Sequence, residues 1–276
     1  MDPERLAGPK RFIGGSPESQ YPMDDSTVIV TGSSKGIGRA LAERFATEGA
    51  NVVTNSRDEA RATAVAEELL DAGGTAVGIG ADMSDRAEVQ ALVDGAVEEF
   101  GSLDIMVNNA GNTVIGPALE MEPEDWQRVI DVNLTGVFFG MQAAGQQMAA
   151  QGTGGQIVNI SSMIGEQGFA QRAPYCASKA GVNNLTRVFA VELAEHDVHV
   201  NALAPGFVRT DITEQTQDAA GYTDEDVRKR APLGRFGTTE EIANCVEFLA
   251  GGDHYLTGEV LRADGGWMAN AWGPDE

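Results

Sequence analysis

Thr27-Val28-Ile29-Val30-Thr31-Gly32-Ser33-Ser34-Lys35-Gly36-Ile37-Gly38 reads as a short β-branched strand running into a glycine turn, and a helical pattern follows to about Glu48. Bare glycines at 32, 36 and 38 let the backbone approach a pyrophosphate. The helix N-terminus behind them supplies unpaired N–H groups and the positive end of its dipole. The spacing is G-x-x-x-G-x-G rather than G-x-G-x-x-G, so the triplet has meaning only through its strand–turn–helix setting. The second strand, Asn51-Val52-Val53-Thr54-Asn55, ends in Ser56-Arg57. An acid at that point would hold a ribose 2′-hydroxyl; an arginine pairs instead with a 2′-phosphate. Arg57, helped by Lys35 in the glycine turn, favours NADP, with NAD still possible. The plainer alternative leaves Arg57 in solvent beside Asp58 and Glu59.

Outward from this unit the same alternation repeats. Helical patterns at residues 58–72, 85–100, 123–150, 174–195 and 239–250 separate strands at 75–80, 103–107, 156–160, 198–203 and 259–261. Such alternation predicts an α/β fold: one doubly wound, seven-stranded parallel sheet with helices on both faces. No linker divides the chain after residue 26, so residues 27–276 read as one catalytic domain. Residues 1–26, rich in Pro, Gly, Ser and charge, read as a flexible arm. The polar stretch 207–230 reads as a lid. Ligands of such sheets bind beyond the carboxyl ends of the strands. That rule gathers residues 32–38, Arg57, Asp82, 108–111, Ser162 and 205–210 along one edge.

A second motif follows the strand at 156–160: Ser161-Ser162, then Tyr175-x-x-x-Lys179 at the start of a helical pattern. Residues four apart share a helix face. A phenol ordinarily ionises near pH ~10, and an adjacent ammonium favours the phenolate, so Tyr175 is expected to exchange a proton nearer neutrality. Ser162, at the strand end, is placed to hydrogen-bond the reacting oxygen, with Ser161 as its twin. Taken alone, Tyr175 is a half-buried helix tyrosine and Lys179 a solvated lysine. Cys176 lies about 100° round the helix from Tyr175 and reads as packing.

Together, Thr31-Gly32-x-x-x-Gly36-Ile37-Gly38, Asn108-Asn109-Ala110-Gly111, Asn133, Ser162, Tyr175-x-x-x-Lys179 and Pro205-Gly206 resemble the short-chain dehydrogenase/reductase family, over about residues 26–268. The resemblance implies a Rossmann fold and hydride transfer between a nicotinamide cofactor and a carbonyl or secondary alcohol. It makes Tyr175 the general acid/base. Lys179 lowers its pKa and holds the nicotinamide ribose, Ser162 orients the substrate oxygen, and Asn133 supports a water that relays protons through Lys179. It places the cofactor against Gly32, Ser34, Lys35, Gly36, Ile37, Gly38, Arg57, Asp82, Met83, Asn109, Ala110, Gly111, Tyr175, Lys179, Pro205, Gly206, Val208 and Thr210. Asp82 would meet the adenine amine and the Val208 backbone the carboxamide. Read without the family, Asp82 is a turn residue at a strand end.

Composition narrows the rest. A net charge of −23, with only four lysines, argues against nucleic acid and against an anionic membrane surface. Spread along the chain, the excess points to a high-salt cytoplasm, where screening shortens its self-repulsion. No apolar run is long enough to span a membrane, and residues 1–26 hold no apolar signal core, so a cytoplasmic protein is expected. Cys176 and Cys245 make no metal or redox spacing, and His196 and His199, at best sharing a helix face, predict no metal site. The resemblance implies a homotetramer built through the helices at 123–150 and 174–195 and the tail. The tail's Trp267, Met268 and Trp272 fit either an interface or core packing. Substrate choice falls to residues 165–174 and 207–230. Among relatives, the C-terminal half most resembles 3-oxoacyl-thioester reductases and sugar or polyol dehydrogenases. The absence of basic residues at 148–155 and the acidic charge speak against an acidic carrier protein. A non-catalytic nucleotide sensor would be expected to lack Tyr175 or Lys179. A sugar epimerase would have a G-x-x-G-x-x-G turn.

Overall fold

Seven strands alternate with helices: β1 Thr27–Val30, β2 Asn51–Ser56, β3 Thr75–Gly80, β4 Ile105–Asn108, β5 Gly155–Ile160, β6 Val198–Pro205 and β7 Val260–Ala263. All pair in parallel, in the order β3-β2-β1-β4-β5-β6-β7. The structure, a computed structural model, describes residues 23–210, 213, 217, 221–252 and 254–270. Its longer helices are α1 Gly36–Thr47, α2 Glu59–Asp71, α3 Arg86–Phe100, α4 Pro123–Ile130, α5 Val137–Gln151, α6 Ala173–Leu193, α7 Asp224–Arg230 and α8 Thr239–Ala250.

Parallel strands are covered on both faces, which is why their sequences are nearly unbroken apolar runs. Val28, Val30, Val107, Val158 and Leu203 pack against Leu41 and Phe45 of α1 and Ile242, Val246 and Leu249 of α8. Their strand neighbours Ile29, Met106, Ile157 and Val200 face the other way, onto Leu92 of α3, Met141 of α5 and Val182 of α6. Removing the fully buried Phe45 ring from water contributes about 1.5–3 kcal/mol. Asp58 and Asp85 cap α2 and α3 by accepting backbone N–H groups, and Thr238 with Glu241 forms a capping box on α8. Helix α1 differs. Lys35 at its N-cap offers no acceptor, and its first turn holds no acid.

The helical region expected over 123–150 is broken. Residues Asp131–Gly136 form a widened π turn between α4 and α5. Gly136 explains part of it: a Cβ there would lie 2.5 Å from the Met83 carbonyl oxygen, so the turn presses on the end of the β3 connection. Strand β6 runs two residues further than expected because Leu203, Ala204 and Pro205 pair with β7. Met23, counted with the arm, is buried and donates its N–H to Glu48 O, so ordered packing starts before residue 27. The arm at 1–22 lies outside the described residues, as does Trp272. Trp267 is packed within the chain, its ring 4.9 Å from Phe207 and beneath Arg230, which favours core packing over an interface for that residue. Of the lid stretch, Val208 bridges to Gly237, and α7 is anchored by buried Val227. His196 ends a short turn while His199 lies in β6, so they share no helix. Among the described residues no helix is long and apolar enough to cross a membrane.

Candidate active site

Strand order reverses between β1 and β4, and a crevice opens there beyond the carboxyl ends. Two turns meet across it. The Thr31 hydroxyl accepts the N–H groups of Asn109 and Ala110 at 2.9 and 3.0 Å and donates to Val107 O. The Asn109 amide donates back to Thr31 O and Gly32 O, so this side chain holds the glycine turn in place. Gly32 has φ +64°, and a Cβ on it would lie 2.8 Å from Ala110 Cα. Only glycine fits so close a crossing. Beneath the turn, Asn55 accepts the Gly32 N–H and donates to Ile79 O and Ala81 O, linking β1, β2 and β3. Asn55 carried no role in the sequence reading. Its position as the last buried residue of β2 was the available signal.

Around this cradle, Ser34, Gly36 and Ile37 line the uncapped start of α1, Gly38 is buried against Gly32, and Thr210 lies over Gly36, its methyl 3.8 Å from where a Cβ would be. Gly206 presses on Asp264, with a Cβ-to-Cα approach of 2.7 Å. Pro205 ends β6, and the Val208 carbonyl accepts the Thr213 hydroxyl. Gly111 sits beside the Asn133 amide. Lys35 and Arg57 are exposed, and neither has an ion pair among the described residues. Asp58 caps α2 and pairs with Arg61 at 3.2 Å rather than with Arg57. Asp82 accepts both the N–H and the hydroxyl of Ser84, forming a strand-end turn. Desolvation pushes its carboxyl up, but those bonds and the Arg57 charge outweigh it and hold it below the usual range. Met83 has its side chain in the core, so only its backbone can face the crevice.

Across the cleft, α6 presents Tyr175 and Lys179 on one face. Lys179 is buried; its ammonium donates to Ile160 O at 2.7 Å and stands 5.5 Å from the Tyr175 ring centroid. Burial lowers its pKa to about 8. The Tyr175 phenol shifts the opposite way from the sequence expectation. Burial raises its pKa, and the hydrogen bond from Ser162 and the charge of Arg172 only partly offset this. Desolvation of the phenolate outweighs the attraction of a neighbouring cation. The two serines separate. Ser161 is buried, bonded to Asn183 and to Lys179 O, whereas Ser162, at the end of β5, reaches the phenol. Asn133 is buried in the π turn. Its amide accepts the Asn112 N–H at 2.9 Å and donates to Asn112 O at 2.8 Å, so both ends of the side chain are engaged. Cys176 packs in the apolar cluster with Phe169 and Phe207.

The family model described as enoyl-(acyl carrier protein) reductase matches residues 32–268. The chain is 42% identical over 242 residues to the 3-oxoacyl-(acyl-carrier-protein) reductase FabG of Staphylococcus aureus, covering 87% of this chain and 97% of that protein. It is 43% identical over 250 residues to 3beta-hydroxysteroid dehydrogenase 1 of Eggerthella lenta, covering 88% and 94%. A solved gluconate 5-dehydrogenase of Burkholderia cenocepacia, in complex with NADP and tartrate, superposes with a TM-score of 0.86 at 35% identity over 90% of this chain and 97% of that one. The chain belongs to the short-chain dehydrogenase/reductase family. This short-chain dehydrogenase/reductase is an oxidoreductase of hydroxyl and carbonyl groups. Its crevice fits the family's pyridine dinucleotide: side chains are missing where the glycines cross, and the helix beside them starts without a cap.

Proposed function

We propose that the enzyme interconverts a ketone and a secondary alcohol with NADP(H), using Tyr175 as acid and base. The observation carrying this is Ser162, Tyr175 and Lys179 gathered at the end of β5. When bound, the dinucleotide supplies or accepts the hydride. Tyr175 gives its phenolic proton to the developing alkoxide, and Ser162 donates a hydrogen bond to the same oxygen. The Lys179 ammonium has two N–H groups beyond the one on Ile160 O, enough for a ribose hydroxyl and a water. Asn133 has both ends of its amide on Asn112, so a water there would be held by the backbone of the π turn. The test is a panel of alcohols and ketones with both dinucleotides; no turnover with either would end this reading.

Unpaired Arg57 and Lys35 beside the crevice support NADP over NAD. A 2′-phosphate there would gain charge-assisted hydrogen bonds. Replacing Arg57 with glutamate should therefore lower kcat/KM for NADPH about 10- to 150-fold, as expected from hydrogen bonds to a charged group. The value for NADH should hold or rise. Equal losses with both would remove the assignment.

A homotetramer in molar salt is the expected assembly. Val188 and Val191 of α6 and Trp126 of α4 are large apolar side chains left in solvent by one chain. Light scattering in 2 M KCl, where screening acts over roughly 3 Å or less, should give four chain masses, with a melting temperature above that in dilute buffer. A monomer in molar salt, or a melting temperature that falls with KCl, would contradict this.

A further inference from the structure

The arginine three residues before Tyr175 stands apart from the other arginines. Arg172 is 8% exposed, and its Nη1 is buried without a hydrogen-bond partner among the described residues. Arg39, Arg44, Arg61, Arg128, Arg209, Arg228, Arg235 and Arg262 each pair with a carboxylate. In a chain with 42 acids against 19 lysines and arginines, partners are abundant. A buried guanidinium left without one is costly unless something else supplies the anion. Its place makes the omission sharper. Arg172 is the N-cap of the 21-residue α6, where the helix dipole disfavours a cation and favours an anion.

Local structure holds the guanidinium there. Gln171 takes φ +62°, a left-handed conformation, and its carbonyl accepts the Gly116 N–H at 3.1 Å. This ties the loop ahead of α6 to the segment after β4. Among the described residues, the groups acting electrostatically on Arg172 are the Tyr222 and Tyr175 phenols and the Cys176 thiol, with no carboxylate among them. Its surroundings are therefore aromatic and apolar, next to the phenol assigned to proton transfer.

We propose that Arg172 binds a carboxylate carried by the substrate a few bonds from the reacting carbon, so that the enzyme acts on an oxo acid and its hydroxy acid. A carboxylate matches the guanidinium fork, and its single charge matches a single cation. A phosphate dianion would call for a second cation, and the described groups acting on Arg172 include none. The proposal rests on the hydride-transfer reading above for the placing of the carbonyl.

The experiment compares acetoacetate, 4-oxopentanoate and 5-oxohexanoate with their methyl esters, and with hydroxyacetone phosphate, in wild type, Arg172→Gln and Arg172→Lys at saturating NADPH. At least one acid should exceed its ester in kcat/KM. Arg172→Gln should erase that preference, about 10- to 150-fold, through KM. Its esters should lose less than the acids, and through kcat rather than KM, because the charge that Arg172 sets beside Tyr175 is removed for every substrate alike, and Arg172→Lys should restore part of the preference. Unreactive pentanoate should raise the melting temperature of wild type and not of Arg172→Gln. Parity of acids and esters in wild type would overturn the proposal. So would a higher kcat/KM for hydroxyacetone phosphate than for every acid, or equal losses on acids and esters in Arg172→Gln, which is what a role confined to tuning Tyr175 or latching the lid would give. Failure of the hydride-transfer reading looks different: no carbonyl turns over, while the pentanoate shift persists.

Discussion

Replacing Tyr175 by phenylalanine should lower kcat for ketone reduction about a thousandfold or more, the usual range for loss of a positioned proton donor. NADPH affinity should be nearly unchanged. The ring itself packs beside Met163, Ile164, Phe169 and Trp267, and phenylalanine keeps that packing. Only the hydroxyl and its bond to Ser162 are removed. Because burial raises the phenol's pKa, Tyr175 is protonated through the neutral range, the form that reduction needs. A fluorescence titration with NADPH and steady-state rates on the same preparation separate binding from chemistry. A variant retaining more than about a tenth of wild-type kcat would exclude Tyr175 as the proton donor, since even a weak general acid contributes about a hundredfold.

The elements that position this phenol were legible from residue order. Strand β1 and the glycine turn show as a β-branched run ending in three glycines, and the parallel sheet follows from repeated strand–helix alternation. The end of β5 and the start of α6 locate Ser162, Tyr175 and Lys179. The π turn at Asp131–Gly136 was not legible. The approach of Gly136 to Met83 O, which accounts for part of it, joins segments about 50 residues apart.

Electrostatics was less legible still. Spacing tells that Tyr175 and Lys179 share a helix face, but the direction of a pKa shift depends on how much water each group loses, which is a tertiary property. The polar ties hidden in sequence are of the same kind. Asn55 reads only as a strand end and Asn109 as a motif residue against the cofactor, yet their bonds and those of Asn112 run to segments 21 to 78 positions away. Arg172 belongs to no motif in the sequence. Its burial and want of a carboxylate emerge only once the loop ahead of α6 is folded against Gly116.

Lys179→Met should have the second large effect, and the pH dependence identifies its cause. In the wild type the ammonium, with a pKa of about 8, is charged at neutral pH and lies 5.5 Å from the Tyr175 ring centroid. It favours the phenolate, the form that takes the proton during alcohol oxidation. Without it the phenol ionises at higher pH, so the rising limb of oxidation kcat/KM should move to higher pH. The rate at neutrality should drop about 10²- to 10³-fold, comparable to loss of one preorganised charge-stabilising donor. Reduction uses the protonated phenol and should keep its neutral plateau shape. A second measurement does not involve turnover. Because the folded pKa of Lys179, about 8, lies below its ordinary value of 10.5, the unfolded chain binds more protons between those values, and stability from this group rises with pH across that window. The methionine variant should lose that slope in chemical denaturation between about pH 8 and 10. An oxidation limb left where it was would show that the ammonium acts only by holding Ile160 O and the ribose, and not on the acidity of Tyr175.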